Sequence, residues 1–133
     1  MTGGENGRGG EIPGCQRGSG TVLVAAVVMV VMAITAALIV VTGYVSAAHA
    51  VRGAADLVAL SGAAGHARGR SDCADARRAA AANSVRLTSC TVEGDSWDFV
   101  VSVTVELEVG TPVPALPRTV AATAHAGRLG LVA

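Results

Sequence analysis

The sequence contains no lysine and only three aromatic residues, Tyr44, Trp97 and Phe99. All ten of its basic residues are therefore arginines, and ten acidic residues bring the formal net charge to zero. A nucleic-acid-binding protein usually carries a basic face and often stacks bases on aromatic side chains. We therefore expect no nucleic-acid partner and no aromatic sugar-binding site.

Motifs for catalysis and metal binding are also missing. The three histidines, His49, His66 and His125, occur singly and have no cysteine or carboxylate at a metal-ligand spacing. The segment around Ser96 approaches the nucleophile-elbow motif G-x-S-x-G, but Asp98 stands where the second glycine is required. We expect a protein that is not an enzyme and binds no cofactor.

Hydrophobic residues make up 51% of the chain and are concentrated near its beginning. Residues 21–45 contain no charged residue and no His, Asn or Gln, and this run exceeds the roughly 20 residues that a helix needs to cross a bilayer. Residues 1–20 are rich in glycine and predict a flexible cytoplasmic tail. The predicted organisation is a tail (1–20), a transmembrane helix (21–45) and an extracytoplasmic stalk and domain (46–133).

The orientation follows from the arginines near the two ends of the span. Arg8 and Arg17 precede it and Arg52 follows it, so the positive-inside rule places the N-terminus in the cytoplasm. The expected location is the cell membrane, crossed once. An alternative is a secretory signal peptide cut after Ala50, although the apolar run is longer than the usual 7 to 15 residues of such a signal.

Helical patterning continues beyond the span, over residues 47–67, and predicts an amphipathic stalk. Small residues on the span and on one face of the stalk would let another helix approach closely. Alternatively, alanines of this kind only favour helix formation. The predicted helix-packing residues are Ala33, Ala37, Ala54, Ala55, Val58 and Gly62.

A short second helix is predicted next, with Ser71 or Asp72 as its N-cap, an end near Ala82 and Asn83 in the left-handed conformation. A first strand is expected over residues 85–92, followed by a turn in which Gly94 can adopt a positive φ.

Residues 97–109 alternate between apolar and mostly polar side chains, which is typical of a strand with one buried face. Trp97 opens this inward-facing series. A weaker alternation over residues 119–126 predicts a last strand. The predicted fold class is α+β, with an extended N-terminal helix, a short helix and a small antiparallel sheet of about three strands.

Cys73 and Cys90 lie on the side of the membrane where oxidation persists, and we expect them to form a disulfide. The alternatives are two free thiols or a metal pair, although neither cysteine belongs to a C-x-x-C motif. Cys15 lies in the predicted cytoplasmic tail and is expected to stay reduced.

In the order of its segments, the chain resembles the TadE-like (TadE/TadG-type), pilin-related membrane proteins of high-GC bacteria. The resemblance covers most of the chain from Arg17 onward. It rests on soft motifs of small residues: RGSGTV at 17–22, AADLVAL at 54–60, CADAR at 73–77, ANSVRL at 82–87 and ATAHAG at 122–127.

The resemblance implies a minor pilin or pseudopilin of a Tad/Flp-type pilus or secretion apparatus. Its partners would be the membrane, other pilin-like subunits and assembly proteins, and a prepilin peptidase cutting between Gly18 and Ser19. The fifth residue after that cut is Leu23, where pilins carry a glutamate. An uncleaved accessory protein is therefore a second reading, and a secreted or membrane-tethered binding module is the alternative function.

Overall fold

The computed structural model describes residues 3–4, 17–70 and 73–130. These form α1 (Arg17–Ala67), α2 (Ala74–Ala82), β1 (Arg86–Gly94), β2 (Phe99–Glu108) and β3 (Thr119–Arg128). The predicted α+β class is confirmed, with a long apolar helix, a short helix and a three-stranded antiparallel sheet. The chain divides into two compact units, Met1–Ile39 and Val40–Ala133, and all packing described below lies within the second.

Helix α1 runs without a break because its sequence is rich in alanine, the residue with the highest helix propensity, and contains no proline. It begins at Arg17, so the last residues of the predicted tail are helical. The rest of that tail, apart from residues 3–4, lies outside the described residues. The predicted N-caps of α2, Ser71 and Asp72, also lie outside them.

The sheet has the order β1-β2-β3, with both pairs antiparallel. In the β1–β2 turn, Gly94 has a φ of 114°, and a Cβ at this position would overlap the carbonyl oxygen of Asp98. The prediction of a positive φ at Gly94 is confirmed, since only glycine fits both requirements.

The predicted alternation holds within β2 but not before it. Phe99, Val101, Val103 and Val105 are all buried, whereas Trp97 is 73% exposed. The inward position predicted for Trp97 is wrong because β2 begins only at Phe99. Alternation between two faces requires an extended strand, and Trp97 lies in the turn that precedes it.

A second correction concerns the end of α2. Asn83 has a φ of −98° rather than the predicted left-handed value, and the positive φ of 55° falls on Ser84. The backbone N–H of Asn83 still donates to the carbonyl of Ala79 at 3.1 Å, as in a helix. The chain therefore reverses one residue later than predicted.

The core lies between the second half of α1, helix α2 and one face of the sheet. Strand β2 is central and supplies its largest side chains, while the helices contribute mainly valine and alanine, which let the layers approach closely. The buried core residues are Val51, Ala55, Val58, Ala59, Ala76, Ala80, Phe99, Val101, Val103, Val105 and Ala124.

Candidate functional site

The first candidate surface is the apolar part of α1. Gly18–Ala67 is the one helix in the described part of the chain that is long and apolar enough to cross a membrane, and none of its most apolar window is buried. Thr35 donates its hydroxyl to the carbonyl of Val31 at 2.8 Å, so this polar group is satisfied inside the helix. The helix is compatible with a single-pass membrane protein.

The predicted helix-packing residues fall into two groups. Ala33 and Ala37 are exposed on α1 and are open to another helix. The other four, Ala54, Ala55, Val58 and Gly62, are buried within the chain itself. The chain's own sheet and α2 cover this part of the predicted face, so it is not available to a separate membrane helix.

Gly62 and His66 show how closely α1 fits the rest of the domain. A Cβ on Gly62 would lie 3.1 Å from Cγ1 of Val101 and 3.3 Å from Cβ of Ala76. One turn further, the rings of His66 and Phe99 lie 4.5 Å apart, measured between their centroids. The close helix approach predicted for this face is therefore made by α2 and the sheet.

A disulfide joins Cys73, just before α2, to Cys90 in β1, across a sequence separation of 17. The prediction of this bond is confirmed, and the alternatives of two free thiols or a metal pair do not apply. Cys73 has a φ of 65°, a left-handed conformation that is uncommon for residues other than glycine. The bond fixes α2 against the sheet in a domain with a small core.

A groove between the end of α1 and α2 is lined with arginines around a single carboxylate. Asp75 forms ion pairs with Arg70 at 3.3 Å and Arg78 at 3.4 Å, and only 14% of its side chain is exposed. Arg68 lines the same groove. The pair with Arg70 connects the chain after α1 to the start of α2, whereas the pair with Arg78 lies within α2.

Across the outer face of the sheet, the strand register brings together residues that are far apart in sequence. His125 Nδ1 lies 2.8 Å from Ser102 Oγ, and the hydroxyls of Thr104 and Thr123 are 3.0 Å apart. Sequence reasoning missed the Ser102–His125 pair because the two residues are 23 positions apart. The ten residues that join β2 to β3 include three prolines and form no tight turn, so no signal in the sequence determines the strand register that pairs them.

The Ser102–His125 pair resembles the nucleophile and base of a hydrolase only in part. Both side chains lie on an exposed sheet face rather than in a cleft that excludes water. Among the described residues, no group of three or more His, Cys, Asp or Glu side chains could hold a metal ion.

The residues of the expected peptidase site lie at the start of α1. Gly18 and Ser19 belong to its first turn and are exposed, and the Gly18 carbonyl accepts a hydrogen bond from the hydroxyl of Thr21 at 3.1 Å. Leu23 is 67% exposed on the next turn.

Comparison with known proteins adds no identification. No protein-family model matches the chain, and no match is found among curated proteins or among solved structures.

Proposed function

We propose that the chain is a noncatalytic, pilin-like subunit of a Tad/Flp-type pilus or secretion apparatus, as its resemblance to TadE-like proteins implies. The observation that carries this proposal is that every large apolar side chain over residues 22–39 of α1 is exposed. Later residues of the same helix, by contrast, are buried in the core of the domain. Lipid and neighbouring membrane helices would cover the exposed part.

The proposed orientation places the N-terminus in the cytoplasm and residues 46–133 outside. The Cys73–Cys90 disulfide supports it, because such bonds persist in oxidising compartments. A membrane-impermeant maleimide applied to intact cells tests it in a Cys15→Ser background. We expect Gly130→Cys to be labelled directly and, in chains that keep residues 1–18, Gly3→Cys to be labelled only after permeabilisation. Labelling of Gly130→Cys only after permeabilisation, or of Gly3→Cys before it, would contradict the orientation.

The structural role is tested by affinity purification of the full chain from solubilised membranes of its own host. We expect pilus or secretion components to co-purify, and the Ala33→Leu/Ala37→Leu variant to recover them at least tenfold less well. Val28→Leu/Val31→Leu changes the other side of α1 and is the matched control. Equal recovery with both double variants would contradict packing through Ala33 and Ala37.

Processing is measured by intact mass on the purified full-length product. Loss of 18 residues would support cutting by a prepilin peptidase between Gly18 and Ser19, and full length would support the uncleaved accessory. Loss of 50 residues would remove the anchor and contradict the proposal.

The alternative function is a membrane-tethered or secreted binding module. The exposed side chain of Trp97 favours it, since tryptophan commonly anchors protein interfaces. A partner lost with Trp97→Ala and retained with Ala33→Leu/Ala37→Leu would favour this alternative over the pilin-like role.

A further inference from the structure

Strand β2 runs in the opposite direction to α1, so the two ends of the sheet lie at different heights along this helix. The ring of Phe99, at the start of β2, lies 4.5 Å from the ring of His66, measured between centroids. Further along β2, Cγ1 of Val101 lies 3.1 Å from the position of a Cβ on Gly62. The step from His66 back to Gly62 and the step from Phe99 to Val101 each cover about 6 Å, so the strand follows the helix axis.

The segment that joins β2 to β3, residues 109–118, therefore lies at the end of the domain where α1 enters it. From Val101 to the end of β2 at Glu108 the strand advances by about 23 Å, which corresponds to about 15 residues of helix. The end of β2 is thus level with Ala47 of α1. We call residues 109–118 the β2–β3 loop; it continues from this level toward the first residues of the unit Val40–Ala133.

This unit begins inside the apolar run of α1, residues 21–45. Val40 and Tyr44 are half-buried, whereas their neighbours on either side in the sequence are exposed, so the domain covers one side of the helix within this run. The hydrocarbon core of a bilayer takes up roughly 20 residues of helix, fewer than the run contains. The last residues of the run therefore belong near the boundary between acyl chains and head groups.

The β2–β3 loop has the composition of a surface that contacts lipid. Residues 109–117 contain no charge and no Asn or Gln. The three prolines of the loop are exposed and have no backbone N–H that would need a partner. The N–H of Val109 donates to the carbonyl of Arg118 at 2.7 Å, and that of Leu116 donates to the carbonyl of Val113 at 3.2 Å. The loop thus satisfies part of its backbone internally, as an apolar environment requires.

The opposite end of the sheet provides a contrast within the same chain. The β1–β2 turn contains three carboxylates, at Glu93, Asp95 and Asp98. Both connections join neighbouring antiparallel strands, so strand pairing does not account for their difference in polarity. An acidic turn at the far end is suited to water. A loop without charge at the end that faces the apolar run is suited to lipid.

We propose that the β2–β3 loop lies in the interface of the membrane that α1 crosses, with Ala115 at the boundary between acyl chains and head groups. This rests on the membrane anchoring proposed above, because the anchor sets the height of the loop. Arg118 is exposed at the end of the loop, where its guanidinium can bind a lipid phosphate while its stem lies along the apolar surface. Glu108 belongs to the strand and remains in water.

The test moves the single tryptophan of the full-length chain, which is reconstituted in phosphatidylcholine vesicles. Lipid brominated near the carbonyl end of its acyl chains should quench the Trp97→Phe/Ala115→Trp variant at least twofold, relative to unbrominated lipid. The unaltered chain carries its tryptophan at the far end of the sheet and is the matched control, which should be quenched little. Equal quenching at the two positions, or none at position 115, would overturn the proposal.

A third position reports on the anchor separately. Trp97→Phe/Ile34→Trp places the tryptophan inside the apolar run, and lipid brominated near the methyl end of its chains should quench it strongly. Quenching at position 34 without quenching at position 115 would overturn the loop contact and leave the anchoring intact. Absence of quenching at both positions would contradict the anchoring and the loop contact together.

Because tryptophan itself favours membrane interfaces, a second measurement adds no aromatic side chain. Ala115 and Ser96 are both exposed in the structure, at opposite ends of the sheet. In a Cys15→Ser background in phosphatidylcholine vesicles, a charged, membrane-impermeant maleimide should label Ala115→Cys at least tenfold more slowly than Ser96→Cys. Equal rates, or slow labelling of Ala115→Cys only in native membranes, would overturn lipid as the partner of the loop.

Discussion

The carboxylate of Asp75 in α2 lies directly against Gly65 of α1, in the space that a side chain on residue 65 would need. The same carboxylate pairs with Arg70 and Arg78. Because residue 65 is glycine, the Asp75 carboxylate can pack against α1 and still form both ion pairs.

Gly65→Ala should therefore destabilise the domain, although alanine favours a helix. The new methyl group has to displace Asp75 and its two ion pairs, a disturbance of about 1–3 kcal/mol for an overpacked site. For a domain of this size, each kcal/mol lowers the melting temperature by about 4–8 °C. Thermal unfolding in detergent, followed by far-ultraviolet circular dichroism, measures the change.

The control for Gly65→Ala is the same substitution in an Asp75→Ala background, where the obstructing carboxylate is gone. There the added methyl should cost much less or should stabilise the helix. If Gly65→Ala destabilises both backgrounds equally, the contact with Asp75 is not the cause.

The next prediction compares Trp97 with Phe99. The sequence pattern predicts that both side chains are buried on one sheet face, but in the structure Phe99 is buried and Trp97 is exposed. Phe99→Ala should cost about 3–5 kcal/mol, since it empties a buried site. Trp97→Ala should change stability by less than about 0.5 kcal/mol, as is usual for exposed positions. Urea unfolding of both variants measures the difference.

Trp97 is the single tryptophan of the chain, so tryptophan fluorescence reports directly on its environment. Its fluorescence should be readily quenched by acrylamide in the folded chain, and its emission maximum should shift little on unfolding. A strongly blue-shifted, protected tryptophan would contradict its exposed position.

Sequence reasoning succeeded where one dominant pattern controlled the structure. The uncharged run predicted the long helix, the alternation over residues 97–109 predicted the central strand, and the two cysteines in the predicted outer part indicated the disulfide. Each rests on a local signal or on a simple compartment rule.

Tertiary relationships were not accessible in the same way. The sequence predicted that another helix packs on the stalk face at Ala54 and Gly62, but periodicity does not say what covers such a face. The sheet and α2 cover it because the chain folds back on α1. The Ser102–His125 pair likewise depends on strand register, which the position of the β2–β3 turn decides.

Removing the disulfide should destabilise the domain, whereas replacing Cys15 should not. The Cys73–Cys90 bond closes a loop of 17 residues, which corresponds to about 3 kcal/mol by the chain-entropy estimate. Cys73→Ser/Cys90→Ser should lower the urea midpoint accordingly, and dithiothreitol should do the same to the unaltered chain. Cys15→Ser is the matched control and should leave the midpoint unchanged.

A disulfide that contributes nothing would show equal urea midpoints for the oxidised chain, the reduced chain and the double serine variant. This outcome would indicate that α2 is held to the sheet by Ala76 and Ala80 alone.

The turn before β2 predicts a specific response to acid. Asp95 Oδ1 accepts hydrogen bonds from the backbone N–H groups of Trp97 and Asp98, both at 2.8 Å. These bonds lower the pKa of Asp95 below its ordinary value of 3.8, the bond from Trp97 having the larger effect. Because the folded-state pKa is the lower one, the ionised carboxylate stabilises the fold at neutral pH, and this contribution is lost as pH falls through the folded pKa.

Asp95→Asn keeps an acceptor oxygen and removes the charge, so it isolates this effect. The unaltered chain should melt at a higher temperature than the variant at pH 7, and the gap should close as pH is lowered from about 4 toward 2. Nuclear magnetic resonance titration of the Asp95 carboxyl carbon gives the pKa directly and should place it below 3.8. A gap that stays constant through this range would mean that the charge of Asp95 does not stabilise the turn that presents Trp97.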